Sequence, residues 1–214
     1  MGNGRTRQHR PSVIYRVVKR CFDIVVSALM LVLLSPVFLA VALLIHHEDH
    51  GPALYRHRRI GKGGQPFDCL KFRSMRIDSA EMMIRFTPEQ RAEFAKYHKL
   101  KDDPRITRIG NFLRNSSLDE LPQLWNILIG QMSFVGPRPI TEVELEQYDP
   151  KQRAKYESVL PGLTGMWQAS GRNNLTFKQR MYYDAYYVDH QSIWLDIKIL
   201  FKTFSAVLNG EGAA

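Results

Sequence analysis

The longest apolar run extends from Ile24 to Ile45, IVVSALMLVLLSPVFLAVALLI, 22 residues without a charged side chain. As one helix rising about 1.5 Å per residue it matches the roughly 30 Å hydrocarbon core of a bilayer. Ser35-Pro36 stands in its middle. A proline removes a backbone donor and presses on the carbonyl one turn earlier, so a kink is predicted there. A secretory leader does not fit: the run is too long, starts after more than twenty residues, and is followed by no small-residue cleavage site. Downstream, two short strand-like runs flank Gly61-Lys62-Gly63-Gly64 and predict a β-hairpin. Those glycines are turn residues, because the G-x-x-x-x-G-K-[ST] spacing of a phosphate loop is absent. Ser79 to Leu100 reads as polar helix, restarted at Thr87-Pro88-Glu89 with the proline in a first turn. Near the C-terminus Trp194, Leu195, Ile197, Leu200, Phe201 and Phe204 recur at helical spacing among Asp196, Lys198 and Lys202. Core packing is the ordinary reading of such a helix. An interfacial position competes with it, since Trp and Lys beside an apolar face suit the headgroup region.

Composition narrows the classes. The 214 residues are 44% hydrophobic and 24% charged, a balance that folds and excludes low-complexity or collagen-like chains. Cys21 and Cys69 are too few for a disulfide framework or a four-thiolate zinc site and read as reduced thiols, so a metal would be held by oxygen. Thirty Lys and Arg against 21 Asp and Glu give a net charge of +9, which favours an anionic partner: nucleic acid, anionic lipid or a phosphorylated substrate. Basic residues flank the apolar run on both sides, Arg5, Arg7, Arg10, Arg16, Lys19 and Arg20 before it and Arg56, Arg58, Arg59 and Lys62 after. The positive-inside rule therefore names no winner. A spanning helix and one that returns to its own face stay equally open on these grounds.

The densest mixture of charged, amide and apolar residues lies between Lys101 and Pro139. Asp119-Glu120 precedes a helical run in which Pro122 places the helix start at or just before Asp119. Ser117 and Glu120 have the spacing of an S-x-x-E capping box, which would give the acids a purely structural purpose. The chemical alternative makes one carboxylate a nucleophile or base while its neighbour holds Mg²⁺ together with substrate phosphates. Arg105, Arg108, Arg114 and Arg138 are near in sequence, and guanidinium groups pair bidentately with phosphates. Arg138 stands between two prolines, in Gly136-Pro137-Arg138-Pro139, so its backbone is fixed on both sides. His57, His98 and His190 have no metal-ligand spacing.

Five segments in order, KRCFDIVVSALMLVLLSPVFLAVALLI, KFRSM, LRNSSLDELPQLWNILIGQMSFVGPRP, LPGLTGMWQASGRNNLTF and YYVDHQSIWLDIKILFKT, resemble the bacterial sugar transferases, monotopic polyprenyl-phosphate phosphoglycosyl transferases. The resemblance runs from about Lys19 to the C-terminus. It implies an α+β, mostly α chain. A re-entrant, Ser-Pro-kinked membrane helix is followed by a compact cytosolic domain with a small β-hairpin and interfacial amphipathic helices. The divisions would be a basic segment 1–20, a membrane helix 21–47 bent at Ser35 and Pro36, and a transferase domain 48–214. The family moves a sugar 1-phosphate from a UDP-sugar to undecaprenyl phosphate with release of UMP, the first membrane step of exopolysaccharide, O-antigen or capsule synthesis. By similarity Asp119 is the nucleophile that forms a phosphosugar-aspartyl intermediate, and Glu120 is its partner in binding Mg²⁺. Lys71, Arg114, Arg138 and Arg172 would hold phosphates or the uridine. The same likeness implies the inner face of the bacterial cytoplasmic membrane, lipid contact, no nucleic acid, and an arrangement compatible with a homodimer. SGRNNLTF is closer to members using galactose or related hexoses than to those using diacetamido sugars. His57 and Arg58 depart from the Gln and acidic residue frequent in the family, and the chain resembles a minimal catalytic unit. Two other classes make different predictions. A membrane-tethered basic binding module would bind in a salt-sensitive way with no dependence on Asp119. A spanning scaffold would place Arg5 and Arg56 on opposite sides.

Overall fold

A computed structural model describes residues 11–97, 100–170 and 176–208. Mostly helical, the described residues form two compact units, one from those within 11–33, 56–70 and 123–208, the other from those within 34–55 and 71–122.

The first unit begins with α1 (Val13–Leu33), which starts eleven residues before the uncharged run. The upstream turns are amphipathic, and Tyr15, Lys19, Arg20 and Asp23 on them each have a partner. Arg20 donates to the carbonyls of Ile127 and Leu128 at 2.7 and 2.8 Å. These are the last residues of α6 (Gln123–Leu128), so the guanidinium satisfies carbonyls that the helix end leaves open. Asp23, 2% exposed, accepts from the Phe134 N–H and the Ser133 hydroxyl at the start of β3 (Ser133–Val135). Lys19 and Tyr15 both donate to Asp196 Oδ2, at 2.6 and 2.9 Å, and Tyr187 donates to its Oδ1 at 2.8 Å. β3 pairs in parallel with β4 (Gly162–Thr164), Ser133 opposite Gly162 and Val135 opposite Thr164. Between them run α7 (Glu142–Leu145) and α8 (Pro150–Glu157), each started by a capping box. Helix α9 (Phe177–Asp189) and the closing α10 (Ile193–Leu208) complete the unit. Its core gathers Ile60, Ile140, Leu145, Tyr148, Tyr156 and Met181.

The second unit begins with α2 (Ser35–Asp49). The proline acts here as a helix starter: the helix breaks at Leu34, and Pro36 falls in the first turn of α2, where its missing donor has no intrahelical partner to lose. Among the described residues no single helix is long and apolar enough to cross a membrane, although α1 and α2 meet that test as a bent pair. After the hairpin come α3 (Ser79–Ile84), α4 (Pro88–Tyr97) and α5 (Arg108–Ser116). Val41 and Ile45 of α2 pack with Phe72 and with Leu113 of α5.

The predicted hairpin is present. Strands β1 (Leu54–Ile60) and β2 (Pro66–Phe72) form a two-stranded antiparallel sheet joined by a 3₁₀ turn at Lys62–Gly64. Gly63 and Gly64 both have φ of 71°, the left-handed conformation that explains glycine there.

Candidate active site

All the groups around Asp119 belong to the second unit. Helix α5 is started by Thr107, whose hydroxyl accepts from the Gly110 N–H at 2.9 Å, and by Glu48, which accepts from the backbone of Arg108 and Ile109. Gly110 lies against the strand end: a Cβ built there would stand 2.0 Å from the Ser74 carbonyl oxygen. One turn on, Arg114 uses the same close approach and donates through Nε to the Ser74 hydroxyl at 2.9 Å. The helix ends at Ser117, which takes a left-handed conformation at φ 57°.

That conformation decides between the readings of Ser117 and Glu120. Ser117 makes no side-chain capping bond, so the box allowed by the spacing is not formed. Asp119 sits inside a single 3₁₀ turn, Leu118–Glu120, and α6 begins only at Gln123. The expectation of a helix starting at or just before Asp119 is corrected accordingly. The strained turn, and not a helix dipole, presents the two acids. Lys71, at the end of β2, compensates them: its Nζ is 2.7 Å from Glu120 Oε1 and 3.9 Å from Asp119 Oδ2. Burial pushes the Asp119 carboxyl up from its ordinary range, and the charges of Lys71 and Arg114 pull it back while Glu120 adds to the rise. Burial also lowers the Arg114 guanidinium, against the opposing charge of Asp119.

Two carboxylates flanked by a lysine and an arginine offer hard oxygen donors and phosphate-binding cations in one place. Among the described residues no third acid, histidine or cysteine joins them to make a closed metal cage. That donor set suits a cation completing its shell with water and phosphate oxygens, as Mg²⁺ does.

Arg138 belongs to the first unit, its backbone pinned where the Gly162 N–H donates to the Pro137 carbonyl at 2.7 Å and the Gly136 N–H to that of Thr164 at 2.9 Å. Its guanidinium lies over Trp167, 5.6 Å from the ring centroid. Arg172, with most of SGRNNLTF, falls outside the described residues, as do His98 and the basic residues 1–10. Ser35 and Pro36 open α2. Arg105 is committed to structure: it forks onto Asp103 at 2.8 and 2.6 Å and lies beside the Phe86 and Phe94 rings.

Reading the sequence missed Ser74, which holds Arg114, and the bidentate pair of Arg73 with Asp49 that ties KFRSM to the end of α2. Both residues sit inside or beside quoted motifs, but their partners are more than twenty positions away and no spacing marks them.

Comparison with known proteins agrees with this arrangement of motifs. The bacterial sugar transferase family matches residues 14–210, and the chain belongs to that family. It is 51% identical over 201 residues to an uncharacterized sugar transferase of Haemophilus influenzae and 48% identical to the undecaprenyl-phosphate galactose phosphotransferase of Salmonella typhimurium. Each match covers 92% of this chain and 42% of the relative, so the chain spans less than half the length of those proteins. The exopolysaccharide production protein ExoY of Sinorhizobium fredii is 46% identical, over 92% of this chain and 88% of its own.

Proposed function

We propose that this chain transfers a sugar 1-phosphate from a UDP-hexose to undecaprenyl phosphate, releasing UMP and forming polyprenyl-diphosphate-sugar for exopolysaccharide or related glycan synthesis. The observation that carries this reading is the acidic pair Asp119-Glu120 compensated by Lys71 with Arg114 close by. The name of the Salmonella relative, a galactose phosphotransferase, favours galactose as the sugar. An Asp119 carboxylate oxygen attacks the β-phosphorus of the donor, and the bond from that phosphorus to the bridging oxygen breaks. UMP departs with the electron pair, leaving an acyl phosphate on Asp119. An oxygen of undecaprenyl phosphate then attacks the same phosphorus and Asp119 is released. Lys71 and Arg114 offset negative charge during both displacements, and Arg138 with Arg172 binds donor phosphates or uridine. Asp119 and Glu120 would hold Mg²⁺, which when bound neutralises the diphosphate.

The apolar surfaces support a seat on the cytoplasmic face of the inner membrane, with α1 and α2 as a re-entrant pair. Val25, Leu29 and Val32 of α1, Leu39 and Leu43 of α2 and Trp194, Phe201 and Phe204 of α10 are all exposed.

The test is UMP release from a panel of UDP-sugars in nanodiscs, with intact mass, first without acceptor and then with undecaprenyl phosphate. A stoichiometric burst with a phosphosugar adduct, lost in Asp119→Asn, is the expected result. Turnover that survives in Asp119→Asn would overturn the nucleophile and bring forward the basic binding module.

A further inference from the structure

Around Trp167 in the first unit lies a polar cluster of which the reaction as written uses only Arg138. The Arg138 and Arg180 guanidinium groups lie 5.6 and 4.7 Å from the centroid of that ring, which is itself buried. Asp184 stands one turn after Arg180 on α9 and is 3% exposed. Among the described residues Asp184 Oδ1, Arg180 Nε and Gln168 Oε1 are buried without a hydrogen-bond partner. A carboxylate this deep is expensive unless opposite charge compensates it. Burial raises the Asp184 carboxyl well above its ordinary range, and the charges that pull it back are those of Arg138 and Arg180. Tyr148 and Tyr156 also face Asp184, and Glu144 shares the field of Arg138. The backbone of Arg138 is already fixed on both sides. What stays undetermined by the backbone is the direction of its side chain, and Asp184 is a buried acid in the field of that guanidinium.

We propose that Asp184 is a positioning residue: its carboxylate holds the Arg138 and Arg180 guanidinium groups on Trp167, with Gln168 closing the cluster, so that Arg138 meets a donor diphosphate in one orientation. This rests on the reading of Arg138 as a phosphate ligand. The role is electrostatic, so shape alone does not preserve it.

The experiment is calorimetric UDP binding to the full chain in nanodiscs, for wild type, Asp184→Asn, Arg138→Ala and the double variant. If Asp184 acts through Arg138, Asp184→Asn weakens UDP about tenfold in the wild-type background and has no further effect once Arg138 is alanine. Asp184→Glu, which keeps the charge, recovers about half of that loss on a logarithmic scale. Unchanged affinity in Asp184→Asn, or equal losses with and without Arg138, overturns the proposal. Should Asp184→Asn not fold, Asp184→Glu enters the same cycle and the same non-additivity is required. If wild type binds no UDP, the donor reading fails separately. Positioning is then read from the Arg138 Nε–H resonance, expected to be slowly exchanging in wild type and fast in Asp184→Asn, with equal exchange counting against it.

Discussion

Gly110 is the residue whose replacement the site tolerates least. A methyl group there would meet the Ser74 carbonyl at 2.0 Å, a backbone atom that cannot rotate away. Gly110→Ala is expected to destabilise the chain by about 3 kcal/mol, the upper part of the usual overpacking range, and to lower activity by pushing Arg114 off Ser74. A denaturant titration and UMP release measure the two effects, and full activity with native stability would refute the contact. Ser117 shows a related economy of position. A non-glycine residue held at φ 57° stores roughly 1 kcal/mol, and that strain sits two residues before Asp119.

Among the elements, the end of α2 responds to acid. Arg73 binds Asp49 through both terminal nitrogens and the Pro52 carbonyl through Nε, while Asp49 also accepts from the backbone of Gly51 and Ile77. These bonds hold the Asp49 carboxyl at about 2, below its usual 3.8. A carboxyl depressed by folding contributes stability that is complete above its unfolded value and is lost as pH falls through the folded one. Stability should therefore drop between about pH 4 and pH 2, and Asp49→Asn should flatten that limb in an acid titration followed by circular dichroism. Helix α10 permits a second test. Trp194 is 80% exposed and Phe201 72%, so serine at both leaves packing intact and is expected to weaken binding to anionic vesicles about tenfold or more. Undiminished binding would remove α10 from the interface. The periodicity of α10 and the glycine turn of the hairpin were legible because neighbours in sequence carry those signals. The core assignment of α10 was not, since period alone cannot say whether protein or lipid covers a face. Equally hidden were the start of α1 at Val13 and the purpose of Arg20 and Asp23, whose partners lie more than a hundred residues downstream. At the site, the acids and Lys71 stood in recognisable motifs, whereas the 3₁₀ turn depends on the conformation of Ser117, which a serine does not announce.

At the scale of the molecule, a net charge of +9 accompanies apolar side chains left exposed on α1, α2 and α10. Attraction to an anionic membrane should then have a salt-dependent part that fades as the screening length shrinks and an apolar part that does not. The anchoring of α1 has a consequence for biosynthesis. Tyr15 and Lys19 find Asp196 181 and 177 residues later, and Asp23 finds Phe134 111 residues later. At about 5–20 residues per second, a ribosome needs on the order of 10 to 35 seconds to deliver the residue that completes the first helix. Throughout that interval the nascent chain displays α1 with Tyr15 and Lys19 still unmatched. Loss of Asp196 should therefore appear first as a lower yield of inserted protein in pulse-labelled cells, ahead of any change in the turnover of the molecules that mature.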